Sequence, residues 1–133
     1  MLYLMDTDTA SYAIRGASAA LDAALAASAP GSLGISAITR AELMFGLEKR
    51  GNPRALARLV QGFMARVTVM PWGAAAADRY AKLRAQLERN GTPIGQFDTM
   101  IAAHALALGA VLESNNRKHF QQVKALMLEN WYA

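Results

Sequence analysis

The chain has no cysteine. That excludes a disulfide framework, a thiolate metal site and a cysteine nucleophile, and it fits a reducing cytoplasm. No apolar run is long enough for a membrane helix, since the longest, Ile101 to Leu112, is broken by His104 and Gly109. The opening Met-Leu-Tyr-Leu-Met-Asp reaches an acid too early for a signal peptide. The expectation is a soluble cytoplasmic protein with no membrane partner. Aromatic residues make up 8%, too few and too scattered for a platform on which RNA bases would stack. Charged residues stand at only 18%, but hydrophobic residues reach 53%, which excludes a disordered chain. With 133 residues, the simplest organisation is one domain, 1–133, large enough for a proper core.

The few charges are unevenly placed. From Lys49 to Arg89 nine bases stand against two acids, Asp78 and Glu88, a net charge of +7. The other acids lie mostly in the flanks. A basic surface beside an acidic site suits a polyanionic substrate held by its phosphates. A solvated helical surface would look the same by charge alone.

Apolar runs alternate with helical patterns along the chain. Leu2 to Met5 reads as a strand that ends in the polar turn Asp6-Thr7-Asp8. A helix from about Thr9 to Arg15 is closed by Gly16, and another spans Ala17 to Ala29 before Pro30-Gly31. Leu33 to Ala37 reads as a second strand. Thr39-Arg40-Ala41-Glu42 has capping-box spacing and opens a helix through Lys49. Pro53 starts the next helix, in which Leu56, Leu59, Val60, Phe63 and Met64 form an amphipathic face. Val67 to Met70 is a third strand, Ala74 to Glu88 a helix, and Asn90-Gly91 its stop. A helix after Asp98 runs to Leu108, and Ala110 to Glu113 is a fourth strand. Phe120, Val123 and Leu126 suggest a helical turn, and Leu126 to Trp131 a last edge strand. This order predicts an α/β fold with a mainly parallel sheet of four or five strands, covered by helices on both faces. No internal repeat or linker composition is present.

That topology gives the acids a common address. Asp6 ends the first strand, Glu42 lies in the first turn of the helix leaving the second, and Asp98 starts the helix leading to the fourth. If that helix runs antiparallel to its strand, its N-terminus lies over the carboxyl edge of the sheet, where Ser114-Asn115-Asn116 also arrives. Open α/β sheets bind ligands in the crevice at that edge. Each acid also has a local use: Asp6 or Asp8 as a cap of the first helix, Glu42 in a capping box, Asp98 as the cap of its own helix. Three carboxylates sharing one place would repel and raise each other's pKa. A hard divalent cation, Mg²⁺ or Mn²⁺, relieves that repulsion.

Four ordered motifs carry a resemblance. They are Leu4-Met5-Asp6-Thr7-Asp8, Ile38-Thr39-Arg40-Ala41-Glu42-Leu43, Pro93 to His104-Ala105 through Asp98, and Ser114-Asn115-Asn116-Arg117-Lys118-His119-Phe120. Together they resemble PIN-domain ribonucleases, and among these the VapC toxins of bacterial toxin–antitoxin pairs. The terminal Glu129-Asn130-Trp131 is similar to the Asp/Glu-x-Trp ending common in that group. The resemblance covers essentially the whole chain. It implies a Mg²⁺-dependent endoribonuclease, usually dimeric, inhibited by a cognate VapB-type antitoxin, with tRNA as the first substrate to consider. It places Asp6, Glu42 and Asp98 as core acids, Thr7 as the hydroxyl beside the first, and Ser114 where a Thr is usual. Asn116 stands where relatives carry Asn or a fourth acid. Asp8 replaces a usual Asn, His119 a frequent Glu, and Glu113 a usual Val. Side-chain alternation puts Glu113 on the face opposite Ser114, away from a ligand's position.

The expected chemistry follows. Asp6 and Asp98 bind Mg²⁺ directly or through water, and Glu42 orients or deprotonates the attacking water. His119, with Arg117 and Lys118 in the same loop, contacts RNA phosphates. His104 lies six residues beyond Asp98 and well off in angle, so it is expected to pack a helix or an interface. Two other readings remain open. Asp6-Thr7-Asp8-Thr9 also fits the nucleophile motif of haloacid-dehalogenase-like phosphatases, with Asp6 as nucleophile, Asp8 as general acid and Ser36 as a second-motif hydroxyl, although the late Gly-Asp-rich metal motif is missing. The third is a non-catalytic RNA- or antitoxin-binding module.

Overall fold

The computed structural model describes residues 1–132. Among them, five strands make one wholly parallel sheet: β1 (Tyr3–Met5), β2 (Leu33–Ser36), β3 (Thr68–Met70), β4 (Val111–Glu113) and β5 (Met127–Glu129). Their spatial order is β3-β2-β1-β4-β5. The connections hold α1 (Thr7–Arg15), α2 (Ala19–Ala27), α3 (Ala37–Lys49), α4 (Arg54–Arg66), α5 (Ala74–Arg89), α6 (Gln96–Leu108) and the single turn α7 (Arg117–Phe120). Crossovers of this length are what parallel pairing requires.

The period of two along a strand sends neighbouring side chains to opposite faces. Leu4, level with Leu112, joins Leu83, Leu87 and Ile101 in a core under α5 and α6. Met5, level with Ile35, joins Ile14, Leu47, Val60 and Phe63 in a second core under α1, α3 and α4. Leu4, Met5, Ile35 and Leu112 are fully buried, and each contributes about 2 kcal/mol of apolar transfer free energy. Helices therefore cover both faces, as the apolar strands require.

The two-core arrangement corrects one expectation. The basic run from Lys49 to Arg89 does not form a single surface beside the acids. α4 buries Val60 and Phe63 in one core, and α5 buries Leu83 and Leu87 in the other. Its cations are split between opposite faces of the sheet.

Several helix starts also differ from the expected ones. α1 begins at Thr7, two residues early, because Asp6 caps it. α3 begins at Ala37, where Ser36 accepts a 3.1 Å hydrogen bond from the Ile38 N–H. The Thr39–Glu42 capping box is therefore not formed: the chain is already helical there, and Glu42 lies in the second turn, not the first. α6 is entered through Gly95 at φ 94° and ψ 155°, a region essentially reserved for glycine. Asp98 falls inside the first turn and does not cap it. Arg117, Lys118 and His119 lie in α7 instead of a loop.

Candidate active site

The strand register builds the site. Met5 pairs with both Ile35 and Glu113, so the residues that follow, Asp6, Ser36 and Ser114, lie level at one edge of the sheet, Ser36 as the last residue of β2. β1 lies between β2 and β4, so the chain passes to one side of β1 and later to the other. A crevice opens where successive connections diverge in this way.

Of Asp6, Asp8, Glu42 and Asp98, Asp6 is the most enclosed, 2% exposed. Its Oδ1 accepts from the Thr9 N–H at 2.9 Å and its Oδ2 accepts from the Ser114 hydroxyl at 2.6 Å. The first bond is the α1 cap, so the capping and site roles occupy different oxygens of one carboxylate. Burial holds the Asp6 pKa above the ordinary range; the bonds from Ser114 and Thr9 oppose that shift, and the charge of Asp8 adds to it.

Glu42 reaches the same place from α3. Thr7 donates to its Oε1 at 2.5 Å, and the Thr7 hydroxyl also lies 3.1 Å from that of the fully buried Thr39. Burial again raises the pKa, the Thr7 bond opposes it, and the nearby charges of Asp98, Asp8 and Asp6 push it further up. Four carboxylates thus share one field, contributed by β1, α1, α3 and α6.

Asp98 is oriented from outside the trio. Its Oδ2 lies 3.0 Å from His119 Nδ1. The Asn116 amide nitrogen lies 3.0 Å from the same ring atom, while Asn116 Oδ1 accepts from the His119 N–H at 3.3 Å and caps α7. One ring nitrogen cannot serve both: it donates to Asp98 only when protonated and accepts from Asn116 only when bare. A carboxylate is the stronger partner, which favours the Nδ1–H form. His119 is thereby part of the acidic cluster, while Arg117 and Lys118 project from the same turn into solvent.

Three further residues complete the description. Asp8 is exposed and lines, with Thr7 and Glu42, a groove of about 490 Å³ between α1, α3 and α4. His104 is buried beneath the crevice with Nδ1 2.8 Å from the Ser36 hydroxyl, and burial lowers its pKa. Ser36 is thus committed to His104 and to capping α3, which leaves it no place in a phosphatase motif. Glu113 is fully buried; its Oε1 accepts from the Trp131 N–H at 2.9 Å and its Oε2 has no hydrogen-bond partner. Burial pushes its pKa up to about 7.

Two members of this network escape a reading of the motifs. Thr39 looks like a helix cap in sequence, and only its burial against Thr7 reveals a supporting role. Thr9 also donates its hydroxyl to the Glu113 carbonyl at 3.3 Å. The Asp6-x-x-Thr9 spacing, a cap and the N–H it binds, was the available signal.

The donor set consists of carboxylate and hydroxyl oxygens, the chemistry of a hard divalent cation. Among the described residues no three Asp, Glu or His side chains close around a point. A cation that demands a protein cage does not fit, whereas Mg²⁺, which keeps several waters and takes one or two carboxylates, does.

Comparison with known proteins identifies the family and the fold. Residues 3–126 match the PIN domain family. The chain is similar to the tRNA(fMet)-specific endonuclease VapC of Shigella flexneri, 40% identical over 101 residues and 76% of each chain. It is likewise similar to ribonuclease VapC2 of Haemophilus influenzae, 34% identical over 97% of each chain. Among solved structures, it superposes on the DNA-bound VapBC of Salmonella typhimurium with a TM-score of 0.92, at 33% identity, over 98% of this chain and 99% of that one. With VapBC-1 of nontypeable Haemophilus influenzae the TM-score is 0.90 at 31% identity, over 100% of both chains. The chain belongs to the PIN-domain family and, within it, to the VapC type.

Proposed function

We propose that this protein is the toxin of a toxin–antitoxin pair and acts as a Mg²⁺-dependent endoribonuclease, with tRNA as substrate. The observation that carries the chemistry is a run of hydrogen bonds along the crevice: the Ser114 hydroxyl to Asp6, the Asn116 N–H to Ser114, the His119 N–H to Asn116 and His119 Nδ1 to Asp98, with Thr7, next to Asp6, donating to Glu42. Relatives named tRNA(fMet)-specific endonuclease, at 40% and 39% identity, make tRNA(fMet) the first substrate to test.

In this reading Asp6 and Asp98 would hold the cation, directly or through water. When bound, Mg²⁺ supplies a water of lowered pKa and offsets charge at the scissile phosphate. Glu42 takes the proton of the attacking water. Thr7 fixes one of its oxygens so that the other can accept. Ser114 and the Thr9 N–H hold Asp6, and His119 holds Asp98. Asn116 orients His119. Arg117 and Lys118 contact the RNA backbone beside the cut.

The partner is a VapB-type antitoxin. The groove beside the acids has carboxylates at one end and Ile14, Leu47, Leu56 and Val60 along it, which suits an amphipathic helix followed by a basic tail. A homodimer belongs to the same reading, with the exposed Phe45 of α3 and Phe97 of α6 as apolar anchors.

The test is incubation of the purified protein with total RNA, in Mg²⁺ or in EDTA, with the new ends mapped. Discrete ends in tRNA that vanish in EDTA are expected. RNA left intact in Mg²⁺ would sink the reading.

A further inference from the structure

A second concave surface lies away from the acids, and its charge has the opposite sign. It is a cavity of about 360 Å³ between α5, the end of α6 and the segment after α7. Arg79, Lys82 and Gln86 line it from one face of α5, at spacings of three and four residues. Gln122 and Lys124 close it from the other side, and Leu106 contributes part of the floor. Among the described residues neither Arg79, Lys82 nor Lys124 has an ion-pair partner; the ion pair on α5 joins Arg84 to Glu88. Asp78, one turn before Lys82, does not approach it within ion-pair distance.

The cavity is tied to the catalytic edge by the chain itself. His119 touches Asp98 at 3.0 Å, and three residues later Gln122 lines the cavity. Phe120 and Val123, buried in the core beneath α5 and α6, pin this stretch in place. From Asn115 to Leu128 the sequence has no acid and carries Arg117, Lys118 and Lys124. A basic path therefore leads from the rim of the acidic crevice to the cavity. Three cations without counter-ions, flanked by amide side chains, form a site for phosphate oxygens.

We infer that this cavity is a second RNA-binding site, which grips the phosphate backbone of the substrate at a distance from the scissile bond. The inference rests on the ribonuclease reading above. It adds to Arg117 and Lys118 a second source of affinity for a polyanion, needed because unfilled carboxylates repel the RNA they cut. Backbone contacts carry no base identity, so the site governs affinity and reach, not sequence choice.

The experiment measures binding of a full-length tRNA transcript in EDTA, so that the RNA stays intact, over a range of salt concentrations. The variant is Arg79→Gln/Lys82→Gln/Lys124→Gln. All three side chains are exposed, and a thermal melt checks the fold. If the triple variant melts early, Lys124→Glu alone replaces it. The charge-matched control is Arg54→Gln/Arg58→Gln/Arg66→Gln on α4, across the sheet. Loss of three phosphate contacts should weaken binding by at least about tenfold and flatten the log–log salt slope by about 2. The control should change binding by less than about threefold. Unchanged affinity in the cavity variant, or an equal loss in the control, overturns the inference while leaving the nuclease reading intact. An unaltered chain that neither binds nor cuts RNA overturns both.

Discussion

The Ser114 hydroxyl donates to Asp6 Oδ2 at 2.6 Å, across 108 residues of sequence. The bond joins the ends of the adjacent strands β1 and β4 and keeps a buried carboxylate chargeable. Replacing Ser114 by Ala leaves that oxygen buried without a donor, at a cost of about 1–3 kcal/mol. It also removes an interaction that lowers the Asp6 pKa. Ser114→Ala should therefore reduce stability and move the acid limb of the pH–rate profile to higher pH. A profile that superposes on that of the unaltered protein would show that the bond does not tune Asp6.

Asp6→Asn keeps an acceptor for the Thr9 N–H and removes a buried charge. RNA cleavage should become undetectable while the melting temperature is kept or raised. Differential scanning calorimetry and a gel assay on the same preparation decide this. Residual cleavage at full rate would remove Asp6 from the mechanism.

Thr7 separates positioning from bulk. Thr7→Val preserves shape but leaves Glu42 without its donor, whereas Thr7→Ser restores it. Cleavage should fall by about 10²-fold in the Val variant, within the range for a displaced general base. It should recover in the Ser variant. Equal activity in both would mean that the hydroxyl is not needed to orient Glu42.

Metal removal should be readable without RNA. A ligand that binds only the folded state raises its stability in proportion to occupancy. Adding Mg²⁺ to protein stripped with EDTA should raise the melting temperature. The same addition to Asp6→Asn should have much less effect. An identical shift in both would place the ion elsewhere.

Glu113 predicts a pH dependence of stability. Its ordinary pKa of 4.5 rises to about 7 in the fold through burial. The folded chain thus binds the extra proton more tightly than the unfolded one. Stability is complete below about 4.5 and is lost as pH rises through about 7. Glu113→Gln, which cannot ionise, should gain on the order of 2 kcal/mol over the unaltered protein at pH 9 and little at pH 5. Urea melts at both pH values check this, and parallel curves would contradict it.

What the sequence by itself determined is local. Short apolar runs bounded by turn residues located the strands, because a strand buried on both faces leaves no other pattern. Asp6, Glu42 and Asp98 could be placed near one sheet edge because each follows a strand or opens a helix that must return to one. The four ordered motifs were sufficient to indicate the family. Tertiary structure decided everything that depends on a partner distant in sequence. It chose Ser36 over Thr39 as the cap of α3, which turned Thr39 toward Thr7 and put Glu42 a turn deeper. It gave Asp98 His119 instead of the end of its own helix. It sent α4 and α5 to opposite faces, dividing a run of cations that sequence presents as one. The physical reason is the same in each case. Periodicity and capping report interactions within a few residues, whereas burial, charge repulsion and long-range hydrogen bonds exist only once the strands have brought distant residues together.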